Sequence, residues 1–180
     1  MFGLFGKSQC NIVNQEEFLI SSSNKLVTKN FTFKEVLFSD YALRHNILNV
    51  PADIEILNNI SYTAQTILQN CRDYFNIPFS PLSFYRCPEL NNKIGGSPRS
   101  QHMKGEAVDF RIPSIDNLEL FRYIIDNLEY DQLILEFYNK DIPNSGWIHC
   151  SAKDDKFANR CEKLVTRRNG RSVVTSRYDD

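Results

Sequence analysis

Long apolar runs are missing from this 180-residue chain, and none approaches the roughly 18 residues of a membrane-spanning helix. An excess of one charge is missing too. Lys and Arg total 21 against 22 for Asp and Glu, a net charge of −1, so bulk charge does not equip the chain to coat nucleic acid or anionic lipid. Cysteine is sparse and odd in number: Cys10, Cys71, Cys87, Cys150 and Cys161, with no CxxC or CxxH spacing. That argues against a disulfide framework and against a cysteine-based zinc site, and leaves reduced, mostly buried thiols as the expectation. There is no internal repeat, low-complexity tract or domain linker. The first apolar run stops at Lys7, Ser8 and Gln9 and has no basic segment before it, so a secretory signal is not expected and synthesis in a cytoplasm is. What is there is ordinary for one globular domain: 42% hydrophobic and 24% charged residues in 20.9 kDa, enough to enclose a core.

Hydrophobic spacing places the elements. Residues 1–30 lack periodicity and are expected to form an arm or edge. Thr32 and Glu35 in TFKE make a capping-box pattern, the start of a short helix. After Pro51, residues Ile54, Leu57, Ile60, Ala64, Ile67, Leu68, Cys71 and Phe75 recur at spacings of three and four, which predicts a long helix with Pro51 in its first turn. A second helix is expected over 116–128, with Leu118, Phe121, Ile124, Ile125 and Leu128 inward. PLSFYR, GEAVDFRI, LILEFY and GWIHCS read as strands, and Asn169-Gly170 between two β-rich runs reads as a hairpin turn. The sum is a single α+β domain with an antiparallel sheet packed against helices.

Of only three histidines, two have suggestive surroundings. His102 lies in SQHMKGEAVDF, seven residues before Asp109, with Gly105 able to supply the turn between them. Asp109 alternates with Val108 and Phe110 and so faces away from them. His149 lies in GWIHCS on one face with Trp147 and Ser151. Two imidazoles and a carboxylate are ligand types zinc accepts, and three protein ligands with one open position characterise catalytic zinc. On spacing alone, a hydrogen-bonded histidine and a strand-edge aspartate remain the competing reading. His45 has no such neighbours and reads as a surface or helix-end residue.

SQHMKGEAVD resembles Ser-x-His-x-x-Gly-x-Ala-x-Asp, the signature of the M15 zinc peptidases, which include D-Ala-D-Ala carboxypeptidases and phage endolysins. SFYRCPELNNKIGGSPRSQH, DQLILEF and GWIHCS resemble further segments of that family's short phage and bacterial branch, in the right order over about residues 31–165. The resemblance implies a fold of the hedgehog/DD-peptidase type and one Zn2+ per chain. By motif it makes His102, Asp109 and His149 the metal ligands and Arg86 the contact to substrate and developing oxyanion. It makes Ser100 an orienting residue for ligand or substrate, with a turn-capping serine as the alternative. Trp147 would stack on substrate or belong to the core. Several members place a carboxylate three residues before the last histidine, where this chain has Gly146. Glu136 is then the expected base, because it emerges with Gln132 and Ile134 opposite the apolar face of its strand. Phe84 stands where the family commonly has glycine, a change expected to bear on the pocket beside Arg86.

The resemblance implies hydrolysis of bacterial peptidoglycan stem peptides, either at terminal D-Ala-D-Ala or at L-Ala-D-Glu. The substrate partner is the wall peptide, without nucleic acid or a membrane span, and a monomer is expected. Action on the wall would follow release at phage lysis or delivery as a phage-particle component. The rival reading is a non-catalytic, zinc-containing wall-binding or phage structural protein of the same fold. The expected organisation is an arm over 1–30, the zinc peptidase domain over 31–165 and a hairpin tail over 166–180. Arg160, Lys163, Arg167, Arg168, Arg171 and Arg177 make the tail locally basic, which would suit an anionic wall polymer or simply a solvated face.

Overall fold

The computed structural model describes residues 24–142 and 144–178, so most of the expected arm lies outside the described residues. The first helix, α1 (Phe33–Leu37), starts at a full capping box. Thr32 Oγ1 accepts from the Glu35 N–H at 3.3 Å, and Glu35 Oε2 accepts from the Thr32 N–H at 2.9 Å. A cap of this kind contributes about 1 kcal/mol. A short α2 (Asp40–Arg44) follows, capped by Ser39.

The long helix predicted after Pro51 is present as a continuous rod. It comprises α3 (Ile54–Thr63), a π-helical stretch (Ala64–Gln69) and α4 (Asn70–Phe75). Pro51 lies outside its first turn, because Asp53 caps the helix by accepting from the Ile56 N–H at 2.9 Å. Ile60, Ala64, Ile67, Leu68 and Cys71 are fully buried, while Ile54, at the open end, is exposed. The π-helical stretch turns Gln69 inward. There the Gln69 amide accepts from Thr28 and Asn30 and donates to Asn30 and Asp73, so its burial leaves no polar atom unpaired. Then come α5 (Pro88–Lys93) and α6 (Asn117–Asn127). In α6 the deepest residues are Leu120, Phe121 and Ile124, with Leu118, Ile125 and Leu128 at the margin.

Five strands form one sheet in the order β1-β3-β2-β4-β5. They are β1 (Ala107–Phe110), β2 (Gln132–Glu136), β3 (Trp147–Ser151), β4 (Glu162–Asn169) and β5 (Ser172–Arg177). PLSFYR does not become a sheet strand. It runs beside β1 through a single bridge between Ser83 and Asp109. The sheet is antiparallel as expected except between β2 and β4, which run parallel. The exception has a local cause. The chain leaves β3 at Ser151, opposite Gln132 at the start of β2, and crosses that end before β4 begins at Glu162, also beside Gln132. The hairpin turn is centred on Gly170 and Arg171, with Asn169 already paired to Ser172, one residue beyond the Asn-Gly reading.

Cross-strand register decides which residues share a face. Val108, Cys150 and Leu133 align, as do Phe110, Ile148 and Leu135, and all six are buried against the helices. The alternate rows, led by Asp109, His149 and Ile134, face the other way. Cys71, Cys87 and Cys150 are buried free thiols, and Cys161 is an exposed one. Among the described residues no helix is long and apolar enough to cross a membrane.

Candidate metal centre

Asp109 and His149 are direct neighbours on β1 and β3. His102 reaches them from the one-turn helix Gln101–Lys104, which ends at Gly105 in the left-handed conformation. A Cβ on Gly105 would stand 2.7 Å from Ile60 Cγ1 and 2.8 Å from the Ile56 carbonyl oxygen. Only glycine therefore lets this turn press against α3 and bring His102 inward.

Three donor atoms converge. Asp109 Oδ1 lies 2.8 Å from His149 Nδ1 and 3.3 Å from His102 Nε2, and the two ring nitrogens are 3.3 Å apart. Four ligands about 2.0 Å from a tetrahedral zinc would stand about 3.3 Å from one another, so the spacing fits such an ion. His102 Nδ1 lies 2.6 Å from the Phe84 carbonyl oxygen, to which it donates, leaving the Nε2 lone pair aimed at the centre. His102 is almost wholly buried. Burial lowers its pKa and Asp109 only partly opposes this, so the ring is held neutral, the form that binds metal. Burial alone would raise the Asp109 carboxyl, but its close contacts with the two histidines outweigh it and hold the group well below the usual carboxylate range. A carboxylate and an imidazole lone pair packed this closely repel one another unless a cation lies between them. The donor set therefore fits a metal ion.

Arg86 secures the outer oxygen of the same aspartate. Its Nη2 donates to Asp109 Oδ2 at 2.6 Å and its Nε to Ser83 Oγ at 2.9 Å. The two oxygens of Asp109 are thus divided, Oδ2 to the guanidinium and Oδ1 to the centre. The Arg86 backbone is pinned in turn. Its N–H donates to the His102 carbonyl, and buried Asn49 bonds the Tyr85 carbonyl and the Cys87 N–H on either side. Phe84 puts its ring into the core and only its carbonyl toward the site, so the large side chain does not line the pocket.

Glu136 pairs with Trp147 across β2 and β3, one step along the same face from His149. Among the described residues its carboxylate makes no hydrogen bond and no salt bridge. Burial raises its pKa first and the Asp109 charge raises it further, against weaker pulls from His149 and Arg86. A half-buried, unpartnered carboxylate with a raised pKa beside this donor cluster is suited to take up a proton. Gly146 cannot host the alternative base. Its φ is +69°, and a Cβ there would collide with the Glu136 carbonyl oxygen and stand 2.7 Å from the Phe137 carbonyl carbon.

Arg86, Ser100, His102, Asp109, Glu136, Trp147 and His149 together line one cavity of about 300 Å³. All seven residues that the resemblance made candidates for the site are in it. Ser100 does not cap its turn through the side chain. Trp147 is half-buried, its ring tilted against Phe137 at 5.2 Å. His45 is at the C-terminal end of α2, stacked on Tyr41 and hydrogen-bonded to the Tyr41 carbonyl, away from the centre. Sequence reasoning missed Ser83, Asn49 and the Phe84 carbonyl. Ser83 had a signal in its spacing before Arg86. The other two act through long-range contacts that no local pattern announces.

Two histidines and an aspartate thus converge, on the open face of the sheet, as a donor set that could hold a metal ion. A profile of the peptidase M15 family matches residues 29–151, more than half of the chain, and the protein belongs to that family. None of the curated proteins matches the chain.

Proposed function

We propose that the protein is a zinc-dependent peptidase that hydrolyses peptide bonds in the stem peptides of bacterial peptidoglycan. The observation that carries this reading is the convergence of His102, Asp109 and His149 beside the unpartnered carboxylate of Glu136. Bound there, zinc would polarise the scissile carbonyl and make a water acidic near neutral pH. Glu136 accepts the proton of the attacking water and delivers it to the departing amine. Arg86, with its Nη1 free of hydrogen bonds among the described residues, faces the oxyanion that forms as the carbonyl becomes tetrahedral. The hydrogen bond from His102 Nδ1 to the Phe84 carbonyl keeps that ring oriented through the cycle. Ser100 and Trp147 line the same cavity and would border the bound peptide. The place of action is the cell wall, reached at phage lysis or as part of a phage particle.

Mass spectrometry of purified peptidoglycan treated with the zinc-loaded protein, with and without chelator, tests the reading. Chelator-sensitive release of free D-alanine identifies a carboxypeptidase, and new internal stem fragments identify an endopeptidase. No product from several wall types, despite stoichiometric zinc, would instead favour a non-catalytic wall-binding protein.

A further inference from the structure

A second cleft of about 420 Å³ opens beside the metal-centre cavity and shares Ser100, Glu136 and His149 with it. Beyond those shared residues its charged lining is Arg99, Lys104, Lys153 and Arg160 against Glu106 and Asp131. With the shared Glu136 counted, four cations face three carboxylates, and the cations are unevenly spent. Asp131 is wholly buried and already engaged. It receives Arg160 Nη2 at 2.6 Å, Lys153 Nζ at 3.0 Å and Gln101 Nε2 at 3.1 Å. Arg160 is spent, since its Nη1 also pairs with Glu162 Oε2 at 3.2 Å, whereas Lys153 remains 30% exposed beside Asp131. Lys153 spends two of its three N–H groups on Asp131 and the Ala158 carbonyl, and keeps a third. Glu106 receives Gln101. Arg99 and Lys104 are exposed at the rim and have no ion-pair partner among the described residues. A cleft with unspent cationic donors on a fixed base, opening onto the reacting centre, is complementary to an anion on the same chain as the scissile bond.

We propose that this cleft is a substrate subsite that takes a carboxylate-bearing residue near the scissile bond, read by Arg99, Lys104 and the free N–H of Lys153. The proposal rests on the peptidase reading and adds to it that the substrate is an acidic peptide whose free carboxylate is required. Gln101 also gives the subsite a connection to the centre. Its side chain bridges to Asp131 while its own turn carries His102, so the cleft floor and the metal ligand are built on one support.

Binding and cleavage of a synthetic acidic stem peptide by the zinc-loaded full chain test this. The peptide is compared with versions in which each carboxylate in turn is a carboxamide. The expected result is that one particular amide weakens binding, read by calorimetry, and raises KM, each about tenfold. In the Arg99→Ala/Lys104→Ala protein that preference shrinks severalfold. Both side chains are exposed, so the fold is not at stake, and Lys153→Met with its own unfolding curve serves as a second variant. Equal binding of all the peptides by the unaltered protein, or an undiminished preference in both variants, overturns the subsite. A preference in binding with no cleavage of any peptide supports the subsite and overturns the peptidase reading.

Discussion

Strands β1, β3 and β2 hold Asp109, His149 and Glu136 between a buried apolar backing and an open cleft, whereas β4 beyond Thr166 and all of β5 stand exposed to water. On the first three strands every site residue has a buried neighbour in sequence. Asp109 sits between Val108 and Phe110, His149 between Ile148 and Cys150, and Glu136 follows Leu135. Burying a Leu or Ile side chain contributes about 1.5–3 kcal/mol. These rows therefore fix the backbone under the ligands to the accuracy a 3 Å donor triangle requires. The hairpin has no such backing. Val173 and Val174 are 58% and 48% exposed, and Arg167, Arg168 and Arg171 extend from it into solvent. Position in the sheet, rather than membership of it, decides whether a strand can carry chemistry.

Removing a ligand breaks the comparison most severely. His102→Ala is expected to lose bound zinc and reduce activity by about a thousandfold or more, with metal content and peptidoglycan turnover measured on one preparation. Glu136→Gln comes next. It should retain a full complement of zinc and lose about 10²–10⁴ in kcat, and unchanged turnover would remove Glu136 from the base's role. Adding Gly146→Asp does not rescue it, because the new side chain meets the β2 backbone, and the double variant should melt earlier than Glu136→Gln alone.

The next effect is on stability. Asp131→Asn is expected to cost about 1.5–3 kcal/mol in urea unfolding, since it weakens the charged hydrogen bonds from Lys153 and Arg160, although Arg160 keeps Glu162. The sign with pH follows from the depressed carboxyl. Burial opposes ionisation of Asp131, but hydrogen bonds from Arg160 and Lys153 lower its folded pKa below the unfolded value. Its stabilisation is fully present above the unfolded value of about 3.9 and is lost as the pH falls from there toward the folded value. Asp131→Asn should flatten that part of the acid-unfolding profile, and an unaltered profile would contradict the assignment. The smallest effects belong to the hairpin. Val174→Thr and Arg171→Ala should each change stability by less than about 0.5 kcal/mol and leave turnover unaltered. Arg168→Ala loses a guanidinium 5.5 Å above the Phe137 ring, worth about 0.5–1 kcal/mol.

Much of the site was legible in the chain. Alternation along GEAVDF, LILEF and GWIHC put Asp109, Glu136 and His149 opposite apolar residues, and motif likeness brought His102 and Arg86 into the same set. The long helix was readable because Ile60, Ile67, Leu68 and Cys71 repeat with the helical period. PLSFYR was misread for a physical reason. Its residues have strand propensity, yet it bridges the sheet edge only at Ser83 and spends the following residues presenting the Phe84 carbonyl and the Arg86 guanidinium. The parallel β2–β4 pair had no local sign either, because strand direction depends on where the preceding connection crosses.

By itself the sequence determined the residue types of the centre, the faces of the strands that carry them and the family to which the chain belongs, since periodicity and motif spacing are properties of the chain. Tertiary structure alone decided that Asp109 gives one oxygen to Arg86 and the other to the histidines, that Gly146 leaves no room for a second base, and that Asp131 anchors Lys153 and Arg160 in the neighbouring cleft. Each of these depends on distances between residues far apart in the chain, and only packing sets those distances.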